Sequence, residues 1–246
     1  MDPLLAYAVR ISPGLSVAVI LLCLLPRDQA GARLCVHLGL FILVRDAMTP
    51  TGLWEIGTHP VFWLRLTADV ATLAALTVAT LGLLLTVMRL ERQLVRGASV
   101  VNGPLLHSLG LGCGAALLIA LPTWLLTLTQ AVPVAERGGS RGALSLAALL
   151  VFSLVGNAYE ELLFRGFLQQ FLAERIGATR AVLFSGFAFA FGHVPLATSV
   201  TNIGAPLLVF TAYEGLICAM LYRRVGWRGS ALAHGGGIFL IASGWM

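Results

Sequence analysis

Eight apolar runs divide this chain, at about residues 12–26, 34–50, 66–88, 104–131, 143–173, 180–197, 205–222 and 229–246. Most approach the ~20 residues that a membrane span needs, and in hydrocarbon only a helix or a closed barrel satisfies its own backbone. The pattern predicts an all-α polytopic bundle of about eight transmembrane spans. Of 246 residues, 58% are hydrophobic and 11% charged, against about a quarter charged in soluble domains, so no soluble domain fits between the spans. The first run reads as a retained span and not as a signal peptide. The fifth is overlong and should tilt or protrude.

The net charge of +5 comes from arginine alone. The arginines are scattered at segment ends, without the clustered basic face of a nucleic-acid binder, which excludes that partner. Ten of them follow odd-numbered runs, whereas Arg10, Arg45, Arg65, Arg137 and Arg141 make five on the other side. This bias places the odd loops in the cytoplasm and both termini outside. Cys23, Cys35, Cys113 and Cys218 lack metal-ligand spacing and read as small buried hydrophobes. Residues 45–65, rich in Pro, Gly and Trp, read as an interfacial or re-entrant element that could gate a site, with Trp54 and Trp63 at the interface.

Chemistry concentrates in the fifth run, Asn157-Ala158-Tyr159-Glu160-Glu161-Leu162-Leu163-Phe164-Arg165. Carboxylates at membrane depth are costly, so an intramembrane pair points to function. On a helix the two glutamates diverge by about 100°. Glu161 and Arg165, four apart, form an acid-before-base pair that orients the helix. Glu160, with Asn157 one turn before it, is left for general-base work. The structural alternative is one helix-packing network of both glutamates and Arg165.

Ser185, Phe189 and His193 share a face in the sixth run, so that an aromatic ring underlies the imidazole. A neutral imidazole and a glutamate can hold a water or bind a metal together. His234 opens a His234-Gly235-Gly236-Gly237 sequence in the last run. Three consecutive glycines serve either close approach of a substrate or tight helix packing. Glu214 could meet His193, His234 or Arg165 as counter-ion or ligand. Asp69 and Arg65 read as an anchor pair, and His37, His59 and His107 as incidental residues near span ends.

Glu160-Glu161-x-x-x-Arg165, then Phe189-x-x-x-His193, then His234 resembles the CPBP family of intramembrane proteases, which includes CAAX prenyl endopeptidases and bacterial Abi-type proteins. The resemblance covers a core at 143–246 and leaves 1–142 as variable accessory spans. It implies an intramembrane endopeptidase in which Glu160 and His193 activate a water and His234 stabilises the oxyanion. Glu161, Arg165, Phe189, Asn157 and Glu214 support them. Both glutamate-type and metal-dependent mechanisms are compatible with it, and Glu160, His193 and His234 would suffice for a catalytic zinc. The implied partners are the lipid bilayer and a membrane-anchored protein, through a C-terminal sorting or processing signal. The implied location is a bacterial inner membrane. Where the family reads HxxxN, this chain has Ile238. Either a glycine N–H, Asn157 or Asn202 replaces the amide, or the chain is a weak or inactive homologue that acts as a scaffold.

Overall fold

The computed structural model describes residues 2–57, 62–97 and 104–245, so His59 lies outside it. Among the described residues seven helices are long and apolar enough to cross a membrane, and the chain is an integral membrane protein. They begin with α1 (Pro3–Leu24), which starts where the Asp2 side chain accepts from the N–H groups of Leu4 and Leu5, and α2 (Ala30–Asp46). After a 3₁₀ turn at Thr49–Thr51 comes a hairpin of β1 (Trp54–Gly57) and β2 (Trp63–Leu66). The helices α3 (Val70–Leu90), α4 (Arg92–Gly97) and α5 (Leu105–Gln130) follow.

The fifth apolar run is α6 (Ala143–Glu161), continued without a break by a π-helical stretch at Leu162–Gln169 and by α7 (Gln170–Ile176). Such wide turns within α-helices are frequently found at functional sites. This one begins directly after the two glutamates and buries every residue from Leu162 to Phe167. The helix α8 (Ala178–Phe191) then leads through His193 to a second π-helical turn at Leu196–Val200.

The last element, α9 (Ala205–Ser243), contains both of the final apolar runs. In a straight helix Glu214 and His234 would stand about 30 Å apart. Their Oε1 and Nε2 atoms are 3.5 Å apart, so the chain doubles back between them. The reversal occurs at Gly226, whose φ of 78° and ψ of −173° no other residue adopts easily. Two antiparallel arms result, and with them the eight helical segments that the sequence pattern predicts.

The glycines of the second arm serve packing. A Cβ on Gly235 would lie 2.8 Å from the Ser153 carbonyl of α6, and one on Gly237 would lie 2.7 Å from the Ile119 side chain of α5. Substrate approach is not needed to explain them.

Thr49–Thr51 is a turn, and Trp54–Gly57 pairs antiparallel with Trp63–Leu66, Trp54 opposite Leu66 and Ile56 opposite Leu64. Three expectations change. Asp69 caps α3 by accepting from the Thr72 N–H at 2.8 Å, whereas Arg65 donates to the carbonyls of Leu64 and Ile241, so they form no anchor pair. Cys218 is buried, but Cys23, Cys35 and Cys113 are exposed on the helix bundle. His37 is not incidental: its Nε2 lies 3.0 Å from Glu91, which Arg33 also grips, at 2.5 Å. His107 is exposed.

Glu91 follows α3 directly. Burial raises its pKa, but the His37 and Arg33 contacts more than offset this and hold it down at about 2.

Candidate active site

Three helices bring the chemical side chains together. Glu161 is wholly buried, and each of its oxygens is committed. Its Oε1 lies 3.2 Å from Arg165 Nη1 and accepts from His234 Nδ1 at 2.9 Å; its Oε2 accepts from the Ser230 hydroxyl at 2.7 Å. Arg165 also donates to the Gly215 carbonyl at 3.0 Å and stacks over the Phe189 ring at 4.6 Å. Glu161 and Arg165 thus tie α6 to both arms of α9.

Glu160 turns elsewhere. It lines an apolar cavity of about 180 Å³ with Asn157, Tyr159, His193, Glu214, His234 and Ile238. Its Oε1 is buried with no hydrogen-bond partner among the described residues, and its Oε2 lies 3.8 Å from His234 Nε2. An unpaired buried carboxylate oxygen is expensive, and facing a cavity it is an open acceptor.

The orientation of His193 follows from one contact. Its Nδ1 lies 2.8 Å from the Phe189 carbonyl, which can only accept, so Nδ1 carries the proton and Nε2 holds the lone pair in the neutral ring. The Phe189 ring packs at 4.6 Å from the imidazole, the underlying aromatic expected there. His234 has its Nδ1 on Glu161, which leaves Nε2 for the cavity between Glu160 and Glu214.

With this geometry assembled, likeness to known proteins can be placed on it. Residues 142–238 match the family of type II CAAX prenyl endopeptidases, Rce1-like. The likeness is confined to this C-terminal segment, 97 of the 246 residues. No curated protein and no solved structure matches the chain. The Rce1-like segment contains Glu160, Glu161, Arg165, His193, Glu214 and His234.

The donor chemistry bears on a metal. Among the described residues one trio brings ligand atoms within 4.8 Å of one another: Glu161, Cys218 and His234. A cation there would have to displace the His234 Nδ1 proton and would sit against the Arg165 guanidinium. Glu160, His193 and His234, the zinc set read from the sequence, do not form such a trio.

Beyond the Rce1-like segment, the site draws on a residue that sequence reading missed. Arg45 of α2 is buried and donates to the Gly192 carbonyl at 2.7 Å, immediately before His193. Within the segment, Ser230 and Tyr159 were also missed. The Tyr159 hydroxyl is buried without a partner among the described residues. Asn157 donates to the Ser153 carbonyl of its own helix, and Asn202 lines a different cavity with Pro122 and Tyr213.

Proposed function

We propose that this chain is an intramembrane endopeptidase that cleaves a membrane-anchored protein with a water activated by Glu160 and His193. The observation that carries this is the unpartnered Glu160 carboxylate oxygen, in one cavity with an imidazole whose proton is held on Nδ1. Glu160 takes a proton from the water while His193 Nε2 accepts a hydrogen bond from its other hydrogen. The water oxygen bonds to the scissile carbonyl carbon, and the charge moves to the carbonyl oxygen. His234, held by Glu161 through Nδ1 and flanked at Nε2 by the Glu160 and Glu214 carboxylates, acts as an imidazolium and donates to that oxygen from Nε2. Glu160 then passes its proton to the leaving nitrogen as the C–N bond breaks.

Ile238 lines the cavity one turn beyond His234, where the family pattern carries an amide. The Tyr159 hydroxyl is the replacement oxyanion donor in this reading, since it lines the same cavity and lacks another partner. The chemistry proceeds without a metal. The substrate class is a prenylated CAAX protein or a protein with a C-terminal membrane sorting signal. Cleavage occurs towards the cytoplasmic leaflet of a bacterial inner membrane, with both termini of this chain outside.

The test is loss of cleavage of a membrane-anchored reporter by Glu160→Gln at unchanged protein level. A second reading, a membrane scaffold that kept the fold, is favoured by Ile238 alone and predicts that Glu160→Gln behaves as wild type.

A further inference from the structure

The hairpin contributes more than a cover to the cavity. Trp54, Ile56, Leu64 and Leu66 all line it, every second residue on each strand, so one face of the hairpin is a wall of the site.

The hydrogen-bond phase of the ladder is fixed by its neighbour. Thr67 N–H donates to the Leu53 carbonyl at 2.8 Å, and these two residues stand opposite each other when the register is extended by one. Bonded and non-bonded pairs alternate in antiparallel strands. Glu55–Arg65 and Gly57–Trp63 are therefore the bonded pairs, and Trp54–Leu66 and Ile56–Leu64 the non-bonded ones. The N–H and C=O groups of Trp54 and Ile56 then point away from β2, along a free edge.

The two edges are not equivalent. On β2, Arg65 donates to the Leu64 carbonyl at 2.8 Å and Arg141 donates to the Leu66 carbonyl, so that edge is occupied. On β1, the backbone groups of Trp54 and Ile56 have no backbone partner among the described residues outside the hairpin. Trp54 and Ile56 are half-buried, and Trp54 also packs with Leu196, Ala197 and Leu207, in the segment that follows His193.

We infer that the free edge of β1 is a substrate-binding strand: an extended peptide pairs with Trp54 and Ile56 and continues the sheet across the cavity. Strand addition to an open edge is a recurrent way to hold a peptide by its backbone, with alternate side chains entering pockets. Here those side chains would enter the cavity that holds Glu160, His193 and His234. The pairing also keeps the scissile amide extended, as attack by water requires. The inference rests on the peptidase reading for the identity of its occupant.

The experiment measures binding of a fluorescent farnesylated peptide ending in a CAAX sequence to full-length Glu160→Gln protein in detergent. Ile56→Pro in that background removes an edge donor but no ladder bond, whereas Ile56→Ala removes only the side chain. Binding should weaken about tenfold with proline and about two- to threefold with alanine. Peptides N-methylated one amide at a time provide a second readout that needs no further variant. Sensitivity at alternate amides supports the strand. Equal effects of proline and alanine with uniform sensitivity along the peptide, or no binding of the peptide at all, would overturn it. Cleavage by the wild-type chain is scored separately. Binding in the alternating pattern without cleavage contradicts the peptidase and leaves the strand site; cleavage without the pattern contradicts only the strand.

Discussion

Arg45 and Gly192, 147 positions apart, are joined by a 2.7 Å hydrogen bond that places a guanidinium beside the turn carrying His193. The same Nη2 lies 2.7 Å from Asp46 Oδ1, to which Nε also donates at 2.8 Å, so the carboxylate holds the charge of the guanidinium that fixes that turn. A residue of α2, outside the Rce1-like segment, therefore positions the turn that carries His193.

Replacing Arg45 with methionine keeps the packing but removes the bond. Charge-assisted hydrogen bonds contribute about 1.5–3 kcal/mol, so turnover should fall roughly 10–100-fold. KM should move less, and lysine should rescue part of the loss. Steady-state kinetics on a cleavable reporter check this; equal activity of Arg45→Met and wild type would remove Arg45 from the site.

Glu161 and Arg165 should separate from Glu160 in their effect on folding. Breaking a buried pair on one side costs about 3–5 kcal/mol, so Arg165→Ala and Glu161→Ala should lower the melting temperature in detergent and the membrane yield. Glu160→Gln weakens only the 3.8 Å approach to His234 Nε2 and relieves a buried charge, so its melting temperature should stay near or above wild type. Thermal unfolding of the three variants decides between these roles.

Tyr159→Phe tests the stand-in for the missing amide. Loss of one oxyanion donor typically costs ~10²–10³ in rate. The variant should show that loss in kcat with a nearly unchanged KM, and Ile238→Asn should restore part of it. A Tyr159→Phe enzyme as fast as wild type would return the question to another donor.

The cluster of Arg33, His37 and Glu91 sets an acid limit on stability. The Glu91 carboxyl is held at about 2 in the fold against an ordinary 4.5. A depressed folded value means that the stabilisation is complete above pH ~4.5 and fades as pH falls toward 2. The melting temperature should drop on acidification across that window, and Glu91→Gln should start lower and show a shallower slope. Parallel slopes in the two proteins would show that Glu91 is not the titrating group.

How much of this was legible in the sequence depended on what each residue needed around it. Glu160, Glu161 and Arg165 stood out because charge in an apolar run is rare and because their spacing alone separates one face from another. His193 above Phe189 was equally local, four residues apart on one turn. Ser230 was invisible, since its bond to Glu161 exists only after the chain reverses at Gly226 and brings the second arm of α9 to α6. Arg45 was counted only towards topology, because an arginine at a span end usually marks it and the Gly192 carbonyl is 147 positions away. The four-residue strands were too short to carry a periodic signal, and the Trp and Pro around them suggested the interface instead.

The most direct test compares cell membranes containing wild-type protein or Glu160→Gln at matched levels, reading new protein termini by mass spectrometry. Glu160 as the water-activating carboxylate predicts at least one membrane-protein terminus that forms only with the wild type. If both membranes yield the same termini, the peptidase account is contradicted, and the Rce1-like segment is a fold kept for another purpose.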